Sequence, residues 1–284
     1  MRVITDPAEL ADLLDDERRA GRTVGLVPTM GALHDGHASL VRRAAADTDV
    51  VVVTVFVNPL QFAPTDDLDA YPRDLDGDVA IAARNGAALV FAPSVEAMAM
   101  GDTLITVGPL STALEGESRP GHFDGVATVV AKLFALVGRC RAYFGEKDYQ
   151  QVAVIRRLVD DLSFPVEVAA CPTVRDTDGV ALSSRNAYLT ADERAAAPVL
   201  VRALQAGVAV VRAGERDAAT VADLVGSIVA AEPLAEVDRV DVVDARTLVP
   251  LTTLAGEVRL LAAARFGRAR LLDNLGVEIP CDAG

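Results

Sequence analysis

Cysteine, histidine and positive charge are all scarce in this sequence. Its three cysteines, Cys140, Cys171 and Cys281, are far apart and odd in number. That excludes a disulfide framework and a cysteine-rich zinc ribbon, and the expected compartment is a reducing cytoplasm. No uninterrupted apolar run approaches the roughly 20 residues that span a bilayer. The start, Met1-Arg2-Val3-Ile4-Thr5-Asp6-Pro7, lacks the apolar centre of a signal peptide, so no membrane partner is expected. Basic residues number 27 against 41 acidic ones, for a formal charge of −14. Nucleic-acid binding needs a basic face, so that class of partner is excluded too. The glycine-bearing turns match neither a Walker loop nor a Gly-x-Gly-x-x-Gly dinucleotide fingerprint. Internal repeats, low-complexity tracts and coiled-coil heptads are also missing.

What is present suits a globular α/β protein. Apolar residues make up 51% and charged residues 24% of 284, a length comfortable for two domains. The stretch Pro28-Thr29-Met30-Gly31-Ala32-Leu33-His34-Asp35-Gly36-His37 holds two of the three histidines. It follows the apolar run Val24–Val27 and precedes a helical pattern opening at Asp35 or Gly36. Free amides and the dipole at such a helix N-terminus favour an anion, typically phosphate. Three readings of the histidine pair stand at this point: metal ligands, caps of a turn, or donors to nucleotide phosphates. Zinc would require further ligands, and no cysteine lies near in sequence.

Strands and helices alternate along the first part of the chain. Pro7–Ala20 is expected to be an amphipathic helix with Asp6 as its cap. The β-branched run Val50–Val57 reads as a strand buried on both faces, as in a parallel sheet covered by helices. Asp74–Asn85 reads as helix, Ala87–Phe91 as a short strand and Thr103–Val107 as a further strand. A turn-rich Arg119–Gly125 precedes an apolar helix, Val126–Val137. Strand Cys140–Phe144, helix Tyr149–Leu162 and strand Val166–Cys171 follow. Beyond Pro172 the texture changes: a polar turn is followed by a long helix from a capping box at Thr190–Glu193 to about Arg212, and by a second helix, Ala218–Ala230. Strands Val240–Val243, Val258–Ala264 and Ala269–Asp273 end the pattern. The expectation is a Rossmann-like parallel-sheet nucleotide-binding domain over 1–174 and a smaller α+β domain over 175–284. The loop Ala63–Leu68 carries no functional reading.

An anion site in so acidic a chain needs local cations. Gly145-Glu146-Lys147-Asp148 follows a strand, where Lys147 is either a solvated lysine or a phosphate contact, and Asp148 a helix cap or a ribose acceptor. Leu182-Ser183-Ser184-Arg185 joins two hydroxyls to a guanidinium, a compact polyphosphate clamp when set beside the other two segments. Gln61 and Gln151 are neutral groups suited to reading hydroxyls on a carboxylate substrate. Arg119 and His122 fit anion binding and helix capping equally.

The first block looks like the His-Ile-Gly-His-type signature of the class I nucleotidyltransferases and synthetases. Together with Val57-Asn58-Pro59-Leu60-Gln61-Phe62, Tyr71-Pro72-Arg73, Phe144–Gln151 and Ser183-Ser184-Arg185-Asn186, in that order, it closely resembles the pantoate–β-alanine ligase family. The resemblance runs to Arg270-Leu271-Leu272-Asp273-Asn274, nearly the whole chain. It implies condensation of pantoate with β-alanine through a pantoyl adenylate, using ATP and phosphate-bound Mg²⁺ and releasing AMP and pyrophosphate. It implies that Met30, Gly31, Ala32, Leu33, His34, Asp35, Gly36 and His37 line the ATP site, with His37 catalytic and His34 holding phosphates. Gly145, Glu146, Lys147 and Asp148, then Val174, Leu182, Ser183, Ser184 and Arg185, would complete it, with Lys147 on phosphate. Gln61 and Gln151 would bind pantoate, Gln61 also lying near β-alanine. No side chain is expected to be a dedicated metal ligand, the second domain would act as a lid, and a homodimer is implied. One departure is visible: Leu182 stands where the family usually has Met, a swap that conserves volume and apolar character. The rival readings are another adenylyltransferase of the same superfamily and a non-catalytic ATP-binding regulator.

Overall fold

A computed structural model describes residues 1–62, 68, 71–98 and 101–280. Cys281 and residues 63–67 of the unread loop lie outside the described residues. The chain forms two compact units, one of Met1–Glu146 with Gln150–Pro172, the other of Lys147–Tyr149 with Thr173–Gly284.

In the first unit, described strands β1 (Arg2–Ile4), β2 (Val24–Thr29), β3 (Val50–Val55), β4 (Leu89–Phe91), β5 (Cys140–Gly145) and β6 (Val166–Cys171) form one parallel sheet in the order β1-β4-β3-β2-β5-β6. The longer helices are α1 (Pro7–Arg19), α2 (Asp35–Asp47) and α3 (Leu75–Arg84); three four-residue helices follow, α4 (Val95–Met98), α5 (Pro109–Thr112) and α6 (Glu115–Ser118). Then come α7 (His122–Val137) and α8 (Tyr149–Leu162). The lack of alternation in β3 has the expected cause. Val50 and Val52 pack with α1, α7 and α8 side chains such as Leu14, Phe134 and Ile155, while Val51 and Val53 pack with Val41 and Ala44 of α2. Asp6 caps α1 by accepting from Ala8 N and Glu9 N, as its position before Pro7 predicts. From β2 the connections run to β3 and β4 on one side and to β5 and β6 on the other. The strand order therefore reverses between β2 and β5, and ligands of open α/β sheets bind at the strands' carboxyl ends at such a point.

The second unit contains α9 (Ala191–Ala196), α10 (Val199–Arg212), α11 (Ala218–Ala230) and a described antiparallel sheet β7-β8-β9 (Glu236–Asp244, Gly256–Phe266, Ala269–Ile279). Leu200, Leu204, Val208, Val221 and Val225 pack with Leu260, Ala264 and Phe266 in one core. Cutting fully buried Leu204 back to alanine costs about 2–5 kcal/mol by loss of contacts and cavity formation. The helical stretch Ala191–Arg212 is, by length and composition, long and apolar enough to cross a bilayer. Its α10 side chains instead fill this core.

The fold class is as the sequence predicts; several elements are not. Thr103–Val107 is not a strand: Ile105 N donates to Thr128 Oγ1 at 2.9 Å, so its main chain is spent on a helix side chain rather than on a strand partner. The apolar helix begins at His122 rather than Val126, because Gly121 turns at φ +80° and starts it early. The long helix breaks at Pro198, which has no N–H for a continuous ladder. β1 is an addition of three residues, and the last three strands are longer than predicted.

Candidate active site

Beyond β2 the chain makes a strained turn. Gly31 sits at φ +87° and Ala32 at φ +51°, two successive left-handed residues. A non-glycine residue there is uncommon and strained. The turn is held from below by Asp78 of α3, whose carboxylate accepts from Leu33 N at 2.7 Å and Ala32 N at 3.1 Å. A Cβ on Gly31 would come within 2.8 Å of the same carboxylate, so glycine is required for space as well as for φ. Asp78 is only 3% exposed, and burial pushes its carboxyl above the usual range despite the two N–H bonds.

At the start of α2 the two histidines cap each other's turn. His34 Nδ1 accepts from Gly36 N at 3.1 Å, and His34 N donates to His37 Nδ1 at 3.3 Å. Because both Nδ1 atoms accept, each neutral ring carries its proton on Nε2. The rings lie 4.2 Å apart between centroids. A Cβ on Gly36 would meet His34 Cε1 at 2.8 Å, so the glycine is what lets the imidazole fold back. The result is a helix N-terminus with two Nε2 donors, the chemistry that stabilises charge developing on a phosphoryl group.

The carboxyl end of β3 supplies Gln61. Buried Asn58 donates through Nδ2 to Gln61 Oε1 (3.1 Å) and to Gly125 O (3.0 Å), and accepts from Leu60 N through Oδ1 (3.2 Å). Gln61 Nε2 reaches Met30 Sδ, which brings Gln61 and the β2 turn together. Arg119 and His122 prove to serve this same turn. His122 Nδ1 donates to Gln61 O at 2.8 Å, Arg119 Nη2 donates to the same oxygen at 3.3 Å, and Arg119 Nη1 lies 3.3 Å from His122 Nε2. At α8 the structure separates two neighbouring glutamines. Gln150 is buried and saturated by Glu115 N, Leu110 O and Ala113 O. Gln151, one position on, is half-exposed and among the described residues makes no side-chain hydrogen bond. Gly145 ends β5 and Glu146 opens a single 3-10 turn, Glu146–Asp148; the space a Cβ on Gly145 would take is open.

The cationic residues gather in the second unit. Lys147, Ser183 and Arg185 line one cleft of about 380 Å³, counting its open mouth. Lys147 Nζ lies 3.1 Å from Asp148 Oδ1. Leu182 N donates to Val174 O at 2.9 Å, and Ser183 Oγ accepts from Arg185 N at 3.3 Å, so the Ser-Ser-Arg segment leaves a short hairpin-like turn in a fixed shape. Ser184 and Arg185 are exposed. Among the described residues, no three His, Cys, Asp or Glu side chains come together as a metal site.

Asp78 is absent from the sequence expectations. A detectable signal exists: it shares the buried face of α3 with Ala82, four residues on, where an acid is out of place.

A family model described as pantoate-beta-alanine ligase matches residues 2–276. A pantothenate synthetase from Geobacillus kaustophilus is 50% identical over 284 residues, covering 99% of this chain and 94% of its own. The crystal structure of pantothenate synthetase from Thermus thermophilus superposes with a TM-score of 0.90 at 49% identity, over 97% of this chain and 99% of that one. A Francisella tularensis pantoate-beta-alanine ligase, solved in complex with β,γ-ATP and β-alanine, matches at a TM-score of 0.77 and 32% identity over 97% of each chain. By whole-length sequence and fold, the chain belongs to the pantoate–β-alanine ligase family.

Proposed function

We propose that the chain condenses pantoate with β-alanine at the expense of ATP, and that the residues above divide the work. The observation that carries this reading is the reciprocal capping of His34 and His37, which sets two Nε2 donors at the N-terminus of α2. A pantoate carboxylate oxygen attacks the α-phosphorus and pyrophosphate leaves. The β-alanine amine then attacks the acyl carbon of the adenylate, loses its proton, and AMP leaves as pantothenate forms. Met30–His37, Gly145, Glu146, Lys147, Asp148, Val174 and Leu182–Arg185 are assigned to ATP, with His37 as the proton donor to the reacting phosphate and Lys147 on the triphosphate. Gln61 and Gln151 are assigned to pantoate, amides that read hydroxyls without adding charge. Mg²⁺ is taken to arrive on ATP as part of the substrate, a hard cation held mainly by phosphate oxygens.

The division at residue 174 and the lid role of the C-terminal part belong to this proposal, since an acyl adenylate hydrolyses in water and needs closure over it. A cytoplasmic location and a homodimer are inferred as well. The location is supported by the unpaired state of Cys140 and Cys171, the dimer by family likeness alone. The test is exchange of labelled pyrophosphate into ATP. Exchange that requires pantoate, followed by AMP release on adding β-alanine, is expected. Exchange driven by another acid, or by none, overturns the substrate assignment.

A further inference from the structure

We propose that Asn274 is a positioning residue for the triphosphate end of the ATP site, acting through the main chain of Lys147; this rests on the assignment of Lys147 to phosphate. Strand β9 carries two adjacent buried polar residues, Asp273 at 5% and Asn274 at 3% exposure. Burying polar side chains in a sheet is costly unless each hydrogen bond is made. Here the bonds are made, and both sets lead to segments lining the same cleft.

Asn274 Nδ2 donates to Lys147 O at 3.0 Å, while its Oδ1 accepts from Arg259 Nε at 2.7 Å. These two bonds fix which way the amide faces. Arg259 in turn stacks on Tyr149, with its guanidinium carbon 3.9 Å from the ring centre, and Tyr149 donates its hydroxyl to Ala245 O at 2.9 Å. Lys147 and Tyr149 are thus pinned on both sides of Asp148. Asp273 does the equivalent for the other segment. Arg175 donates to both its carboxylate oxygens at 2.6 and 2.8 Å and also to Gly179 O at 2.9 Å, bracing the turn from which Ser183–Arg185 emerge. Asn274 N closes the pair by donating to Asp273 Oδ1 at 2.7 Å. Two consecutive positions of one strand therefore set the Lys147 main chain and the Ser183–Arg185 segment at a fixed separation. A flexible lysine delivers its charge to a defined point only if its own backbone is fixed, and errors of an ångström in such sites are expensive.

The experiment uses the full-length chain and ATP alone, with affinity read by titration calorimetry. Asn274→Asp keeps the side chain's size and its bond to Arg259, but replaces the donor facing Lys147 O with an acceptor. ATP affinity is expected to fall about tenfold, the effect of one reversed hydrogen bond. In a Lys147→Ala background the same substitution should change ATP affinity by less than about twofold, because the partner it acts through has lost its charge. An equal loss in both backgrounds, or no loss in the wild-type background, overturns the proposal. Lys147→Ala with unchanged ATP affinity would instead remove the phosphate assignment beneath it. Should Asn274→Asp not fold, Arg259→Met, which releases the amide's other anchor, carries the same comparison with the same outcomes.

Discussion

The proposed ATP residues come in two sets built from different material. In the first unit the set is made of backbone: a left-handed turn at Gly31–Ala32, the N-terminus of α2, and two imidazoles aimed by main-chain bonds. In the second unit it is made of charge: Lys147 and Arg185, with Ser183, along one cleft. The chain has only two lysines, Lys132 and Lys147, and a net charge of −14, so this cleft concentrates cation where the rest of the molecule repels anions. The difference teaches a division of labour. Main-chain donors give geometry that salt does not screen, whereas side-chain cations give attraction that it does.

The largest effect expected from breaking the first set is that of His37→Ala. Pyrophosphate exchange should drop by about 10³-fold or more, in the range of a lost proton-transfer or phosphate-polarising group, while the protein still folds and its thermal melt falls by no more than roughly the few degrees that one lost helix cap costs. Near-normal exchange in that variant would end the catalytic role of His37. Next is Asp78→Asn, which leaves one acceptor oxygen for two turn amides. ATP affinity should weaken about tenfold. Stability should change little, since the buried carboxylate already carries a desolvation burden that the amide lacks. Salt sharpens the comparison. Raising ionic strength from about 0.05 to 0.5 M should weaken ATP binding by the wild type and by Asp78→Asn in the same ratio. For Arg185→Gln that ratio should be about threefold smaller, and equal salt slopes for all three would erase the distinction. The smallest effect is structural. Arg194 holds the Asp178 carboxyl below its ordinary value, and Thr177 N, with a smaller part from Arg194, does the same for Asp176. A lowered pKa contributes stability above the unfolded value of 3.8 that is lost as pH falls through the folded one. Arg194→Leu should therefore melt at most about 2 °C lower at pH 7, a gap that closes below pH 3.8.

Much of the first set is legible from letters alone, because its determinants are local: a glycine, two histidines and a strand-to-helix transition within ten positions. Asp78 is marked only by its place on the buried face of α3; what it holds is not legible, since the turn lies 45 residues away and Asp74 and Asp76 make acids routine at that helix start. Thr103–Val107 misleads in the opposite direction. Its β-branched composition is right for a strand, yet Thr128 takes the amide of Ile105. Composition reports what a segment tolerates, and the partner decides what it becomes. The second set is visible as Lys147 and Ser183–Arg185, but their supports are not, because Asn274 and Asp273 lie on a strand whose sequence reads simply as the end of the chain's pattern.

The bond from Asn274 to Lys147 spans 127 positions, and that sets an order of events at the ribosome. Strand β5 and the start of α8 are synthesised long before β9, so the main chain at Lys147 must wait for the last described strand to receive its anchor. A chain arrested between the end of β6 at Cys171 and residue 274 has every residue of the histidine turn, Asp78 included, but lacks the anchor of Lys147. Truncated products of this protein should therefore be poor consumers of ATP even where their parallel sheet has already folded.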